Sequence, residues 1–238
     1  DVLALRLNNV RMRTQRLGDL QAQVASLRAG EAEIQKLVAE HGVDLLRRGI
    51  VELRRRSTLL MQDVIGRMKP GVYEYADALD NDGVVDEPLW VRLRLTVESE
   101  RLVFDFSESS PACQGPLNSP YASTFSAVYI ALKHVFEEIP LNAGCFAPLE
   151  VIAPRGTFLN AEYPRPVSGC ASEVSQRIVD TVFGVLGQTV RLVDPQTVQL
   201  TVNVICQVRL KNHQPESSKQ FEAFIEDQPE IMECFSMS

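Results

Sequence analysis

The sequence has 238 residues, 45% hydrophobic and 23% charged, enough apolar material for one large or two small domains. Its formal net charge of -7 argues against non-specific nucleic-acid binding, because counterion release requires a basic face. No apolar run approaches the roughly 18 residues of a membrane span, and the charged stretch at the start does not read as a secretion signal.

The absence of an initiator Met and a start in mid-pattern point to a chain that begins inside a longer protein. From Leu17 to Met68, apolar residues recur at three- and four-residue spacing (Leu20, Val24, Leu27; Ile34, Leu37, Val38; Leu45, Leu46, Ile50). That spacing predicts two or three helices, broken at His41-Gly42 and stopped by Pro70-Gly71. Arg47, Arg48, Arg54, Arg55 and Arg56 cluster on the last of them and read as a solvated helix face.

The period then changes to two. Gly71 to Tyr75, Trp90 to Val97 and Leu102 to Phe106 alternate as strands, separated by the turn signal Asp80-Asn81-Asp82-Gly83 and by Glu98 to Arg101. Three strands with short turns predict an antiparallel meander. A helix is expected over Pro120 to Glu138, a short strand over Leu149 to Ile152, and a helix over Ala171 to Gly187 with Val174, Ile178, Val182 and Val185 as its apolar stripe. The fold class implied is α+β (mixed α/β): N-terminal helices, a strand meander, then strand–helix mixing. After Gln188 the pattern restarts. Leu200 to Leu210 alternates as a strand, Pro215 to Asp227 reads as a short helix, and Glu230 to Met237 as a second strand, a truncated β-α-β tail.

Local catalytic motifs are missing: no GxSxG, Walker A loop, HExxH or GxGxxG occurs. Three polar loops remain. In Phe104 to Pro111, Asp105 sits at a strand end among hydroxyls, either ending the strand as a turn or facing a ligand. In Gly115 to Tyr121, Asn118 or Ser119 is placed to cap the next helix, with Pro120 at its first position; the same geometry offers N–H groups to an anion. In Pro140 to Phe146, Asn142 precedes Cys145, which is either a nucleophile or a small buried thiol; no His lies near it in sequence. Asp105, Asn118, Asn142 and Cys145 are thus the candidate catalytic residues. The five cysteines (Cys113, Cys145, Cys170, Cys206, Cys234) lack CxxC spacing and suggest reduced thiols in a cytoplasmic setting. His41, His134 and His213 lie far apart, so no metal ligand is assigned.

Seven segments in order carry a resemblance: Leu17-Gly18-Asp19-Leu20-Gln21-Ala22-Gln23, Asp80 to Gly83, Val103 to Pro111, Gly115-Pro116-Leu117-Asn118, Ile139 to Phe146, Glu150 to Gly156, and Glu173 to Asp180. Together, over about residues 1–187, they resemble the hydantoinase B family, which includes the B-type chain of N-methylhydantoinase, the matching half of 5-oxoprolinase and the alpha subunit of acetone carboxylase. The resemblance implies a partial domain of an ATP-dependent hydrolase opening a cyclic amide, hydantoin or 5-oxoproline. It equally allows a ketone carboxylase of acetone carboxylase type, and an inactive binding or assembly module is the third alternative. It implies a hetero-oligomer with a hydantoinase A-like subunit or domain, and ATP and a divalent metal in the complete enzyme. Nucleic acid and membrane are not expected partners. Residues 190–238, through Leu192-Val193-Asp194-Pro195, His213, Glu216 and Pro229 to Phe235, resemble the start of an Lrp/AsnC effector-binding domain.

Overall fold

A computed structural model describes residues 2–189, so the tail expected over 190–238 lies outside the described residues. The chain divides into two compact units, the first ending at Leu53 and the second starting at Arg54.

The first unit is helical. A short helix, α1 (Val2–Asn8), precedes the 29-residue α2 (Arg13–His41), in which no residue is buried. Gly42 ends α2 with φ 78°, a left-handed value that glycine adopts without a Cβ clash, and its N–H donates to the Val38 carbonyl. The break expected at His41-Gly42 is there, whereas Gly30 stays inside the helix. Helix α3 (Val43–Arg67) starts in this unit and contributes its second half to the next. All five clustered arginines are exposed.

The second unit is built on a four-stranded sheet in the order β1-β2-β3-β4, comprising β1 (Gly71–Leu79), β2 (Leu89–Val97), β3 (Leu102–Asp105) and β4 (Leu149–Ile152). The first three strands form the expected antiparallel meander; β4 joins parallel to β3 after the crossover through α4 (Tyr121–Val135). Because side chains alternate, Leu89, Val91, Leu93, Leu95 and Val97 all fall on one face of β2 and are buried, with Leu102 and Phe104 of β3 beside them. Each such side chain contributes roughly 1.5–3 kcal/mol when removed from water. Helix α5 (Ser175–Thr189) packs on β1 and β2 and against α4, and its predicted stripe of Ile178, Val182 and Val185 is buried. Val174, also buried, belongs to the single π-helical turn Cys170–Val174 that leads into α5.

Two close approaches fix this packing. At Gly184 a Cβ would sit 2.5 Å from the Tyr75 ring, and at Gly144 it would sit 2.0 Å from the Arg54 carbonyl oxygen, so neither position accommodates a side chain without movement. Between α5 and β1, Arg177 donates to Asp77 at 2.6 Å, with only 8% and 16% of the two side chains exposed. Such a pair adds little over an apolar replacement, but removing one partner strands the other charge. Arg177→Met is therefore expected to lower stability by about 3 kcal/mol or more. Urea unfolding checks this, as a fall in midpoint at unchanged slope.

The helix cap expected at residues 118–120 is corrected by the structure. Helix α4 begins at Tyr121, so Pro120 is the capping position rather than the first helical residue, and no side chain bonds to the first amides. The hydroxyls and the amide are used elsewhere: Thr124 donates to the Leu159 carbonyl at 2.6 Å, Ser119 donates to the Pro120 carbonyl, and Asn118 turns back into its own loop.

Candidate functional site

The face of the sheet opposite α5 carries the charge, with Glu74, Trp90, Arg92 and Arg94 exposed on it. The register pairs Glu74 of β1 with Arg94 of β2, and Arg94 with Asp105 of β3, so the three lie side by side. Arg94 Nε donates to Glu74 at 2.9 Å, and its Nη2 donates to Glu108, from the loop after β3, at 3.1 Å. The hydrogen bond that Arg94 donates to Glu74 first, and then the field of Glu108, push the Arg94 guanidinium above its usual range, so it stays charged. Both pairs are exposed and screened by solvent, so their role is to fix where Arg94 points. Arg92, two residues earlier on the same face, lies over the Trp90 ring, 5.4 Å from its centroid. Glu74, Arg92, Arg94, Asp105, Ser107 and Glu108 line a cavity of about 300 Å³.

The four residues singled out from sequence are dispersed. Asp105 is half-buried and lines the cavity; one of its oxygens accepts the Ser107 N–H at 2.9 Å, so it both closes a turn and faces open space. Asn118 is fully buried and satisfied, with its oxygen accepting the Cys113 N–H and its amide donating to the carbonyls of Cys113, Gly115 and Pro166. Asn142 donates to Ser57 of α3 at 2.7 Å and accepts the Gly144 N–H. Cys145 is buried, its thiol donating to the Asn142 carbonyl at 3.0 Å. The last three hold loops together, and the Cys145 thiol is engaged by a backbone carbonyl rather than by an imidazole that could activate it. Among the described residues no three His, Cys, Asp or Glu side chains are grouped to hold a metal ion, so no step is assigned to one.

Sequence reading passed over Arg92, Arg94, Glu74 and Glu108. The alternation of β2 already placed both arginines on its polar side, but their carboxylate partners come from strand pairing. It also read Asp82 as part of a turn only. Asp82 is buried; one oxygen accepts the N–H groups of Val84 and Val85, and the other those of Gln114 and Gly115. These donors, the Val85 N–H foremost, lower its pKa from 3.8 to about 2. A carboxyl with a folded pKa below its unfolded value contributes stability above pH 3.8, and that contribution is lost as pH falls toward 2. Asp82→Asn is thus expected to destabilise the protein at pH 7 and to flatten this acid limb, as measured by urea unfolding at a series of pH values between 7 and 2. An unchanged acid limb would show that other groups set it.

Fold and site together define a mixed α/β domain whose sheet is apolar on one face and carries an ordered charge array on the other. The family profile described as Hydantoinase B/oxoprolinase matches residues 1–227, and the chain belongs to that family. The match continues past the break read near residue 190, and the likeness of 190–238 to a regulator's effector domain has no support in it. The chain is similar to the uncharacterized protein MJ0963 of Methanocaldococcus jannaschii, at 31% identity over 187 residues, covering 78% of this chain and 32% of that protein. It is similar to the 5-oxoprolinase of Dictyostelium discoideum, at 29% identity over 180 residues, covering 72% and 14% respectively. The crystal structure of the ATP-dependent caprolactamase from Pseudomonas jessenii superimposes with a TM-score of 0.72 at 27% identity, covering 80% of this chain and 33% of that one. The chain thus spans about a third or less of the length of these relatives. No described helix is long and apolar enough to cross a membrane.

Proposed function

We propose that this chain is the B-type portion of an ATP-dependent hydrolase that opens a cyclic amide, hydantoin and 5-oxoproline being the first substrates to test. The observation that carries this reading is the family match over residues 1–227. Its fold likeness to an ATP-dependent caprolactamase supports the reaction class, since caprolactam is itself a cyclic amide. The B in the family's description implies an A-type counterpart, and the family resemblance assigns the ATP chemistry to that partner. The unpaired thiols of Cys113, Cys145 and Cys170 suit a reducing cytosol. Within this reading Asp105 is the sequence candidate with access to a small molecule, while Asn118, Asn142 and Cys145 shape the loops.

Co-expression with an A-type partner, followed by an assay of ring opening with and without ATP, tests the reading. ADP release coupled to opening of 5-oxoproline, hydantoin or caprolactam is expected only when both parts are present. A folded complex that opens none of the three, or that instead carboxylates acetone, overturns it.

A further inference from the structure

The cavity on the open face contains groups of both signs that are not committed to one another. Arg94 is held by Glu74 and Glu108. Arg92 is different: its guanidinium rests on the Trp90 ring, makes no hydrogen bond among the described residues, and belongs to a residue that lines the cavity. Asp105 accepts one N–H, from Ser107, through a single oxygen, leaving the second oxygen open among the described residues. The Ser107 hydroxyl is exposed beside it. The pairing of Arg94 with Asp105 makes Arg92 the diagonal neighbour of Asp105 on the same face, roughly 7–8 Å away. Arg92 and Asp105 thus line one cavity as diagonal neighbours, and with Glu74, Glu108 and Arg94 they make three carboxylates and two guanidiniums in all, so the cup is net negative.

We propose that this cavity binds a small zwitterion of zero net charge, an ω-amino acid, with its carboxylate on Arg92 and its ammonium on Asp105. Guanidinium groups take carboxylates in bidentate fashion, and Trp90 beneath Arg92 limits the directions it can point. The excess of carboxylate disfavours a ligand with a second negative charge, so glutamate binds less well than a neutral zwitterion. Opening of a simple lactam supplies such a ligand, whereas 5-oxoproline would give glutamate and hydantoin an N-carbamoyl amino acid, so within the ring-opening reading this site favours a simple lactam. Hydrolysis breaks the ring C–N bond of an unsubstituted lactam; water's oxygen stays on the carbonyl carbon, and the protons leave one carboxylate and one ammonium on the same molecule. The choice of ligand rests on the ring-opening reading; the existence of a zwitterion site does not.

Titration calorimetry at low ionic strength on the unaltered chain, with 6-aminohexanoate, hexanoate, hexylammonium and glutamate, tests the proposal without turnover. The zwitterion is expected to bind about tenfold or more tightly than either singly charged analogue, since each lacks one charge-assisted contact. Arg92→Gln should remove the preference over hexylammonium, and Asp105→Asn, which keeps an acceptor for the Ser107 N–H, the preference over hexanoate. Arg92→Lys should restore part of what Arg92→Gln loses. Equal affinity for the zwitterion and hexanoate, no binding of the zwitterion, or unchanged selectivity in both variants overturns the proposal. Zwitterion binding with no ring opening beside the A-type partner leaves this site standing and removes the proposed reaction; ring opening without zwitterion binding does the reverse.

Discussion

The period-two alternation of β2 is the constraint on which the second unit depends. Nine residues, Leu89 to Val97, are paired on both sides, to β1 over their whole length and to β3 over the last four. Shifting either register by one residue would carry Val91, Leu93 and Leu95 into solvent and drive Arg92 and Arg94 under α5. The strand therefore selects the core and the charged face in one step. Every group in the cavity takes its position from this pairing or from the loop immediately after β3.

What the sheet does for the charged face, buried polar side chains do for the loops. Asp82 draws four backbone N–H groups from two segments of chain, and Gly115 comes so close that a Cβ there would lie 1.8 Å from the Asp82 carbonyl oxygen. Asn118 closes the same region from the other side, and Asn142 ties its loop to α3 through Ser57. These loops lack regular secondary structure but not hydrogen bonds, as buried backbone requires. Their polar composition, which in sequence looks like chemistry, is accounted for here by internal satisfaction of donors and acceptors.

Local signals were therefore legible and pairings were not. The helix break at Gly42, the antiparallel meander and the stripe of α5 each follow from periodicity or from a residue with special backbone freedom, and the structure has them within a few residues of where the pattern places them. The parallel pairing of β4 with β3 was beyond reach, because it depends on the crossover through α4 rather than on any property of Leu149 to Ile152. The same holds for the candidate site. Asp105 was noticed because a carboxylate at a strand end among hydroxyls is locally odd. Glu74, far earlier in the chain and ordinary in its own surroundings, acquires its meaning only from the strand that brings Arg94 beside it.

Trp90 is the sole tryptophan of the chain, and it lies on the open face with 39% of its surface exposed, beneath the Arg92 guanidinium. Its backbone is anchored, donating to the Ser110 hydroxyl and accepting the Ser110 N–H, so the indole is held on a fixed part of the sheet. An indole's emission shifts with the polarity of its surroundings and with a cation placed against its ring. The protein therefore carries one intrinsic fluorophore, located where the sheet meets solvent, and its optical signal reports on that face alone, unmixed with any other indole in the molecule.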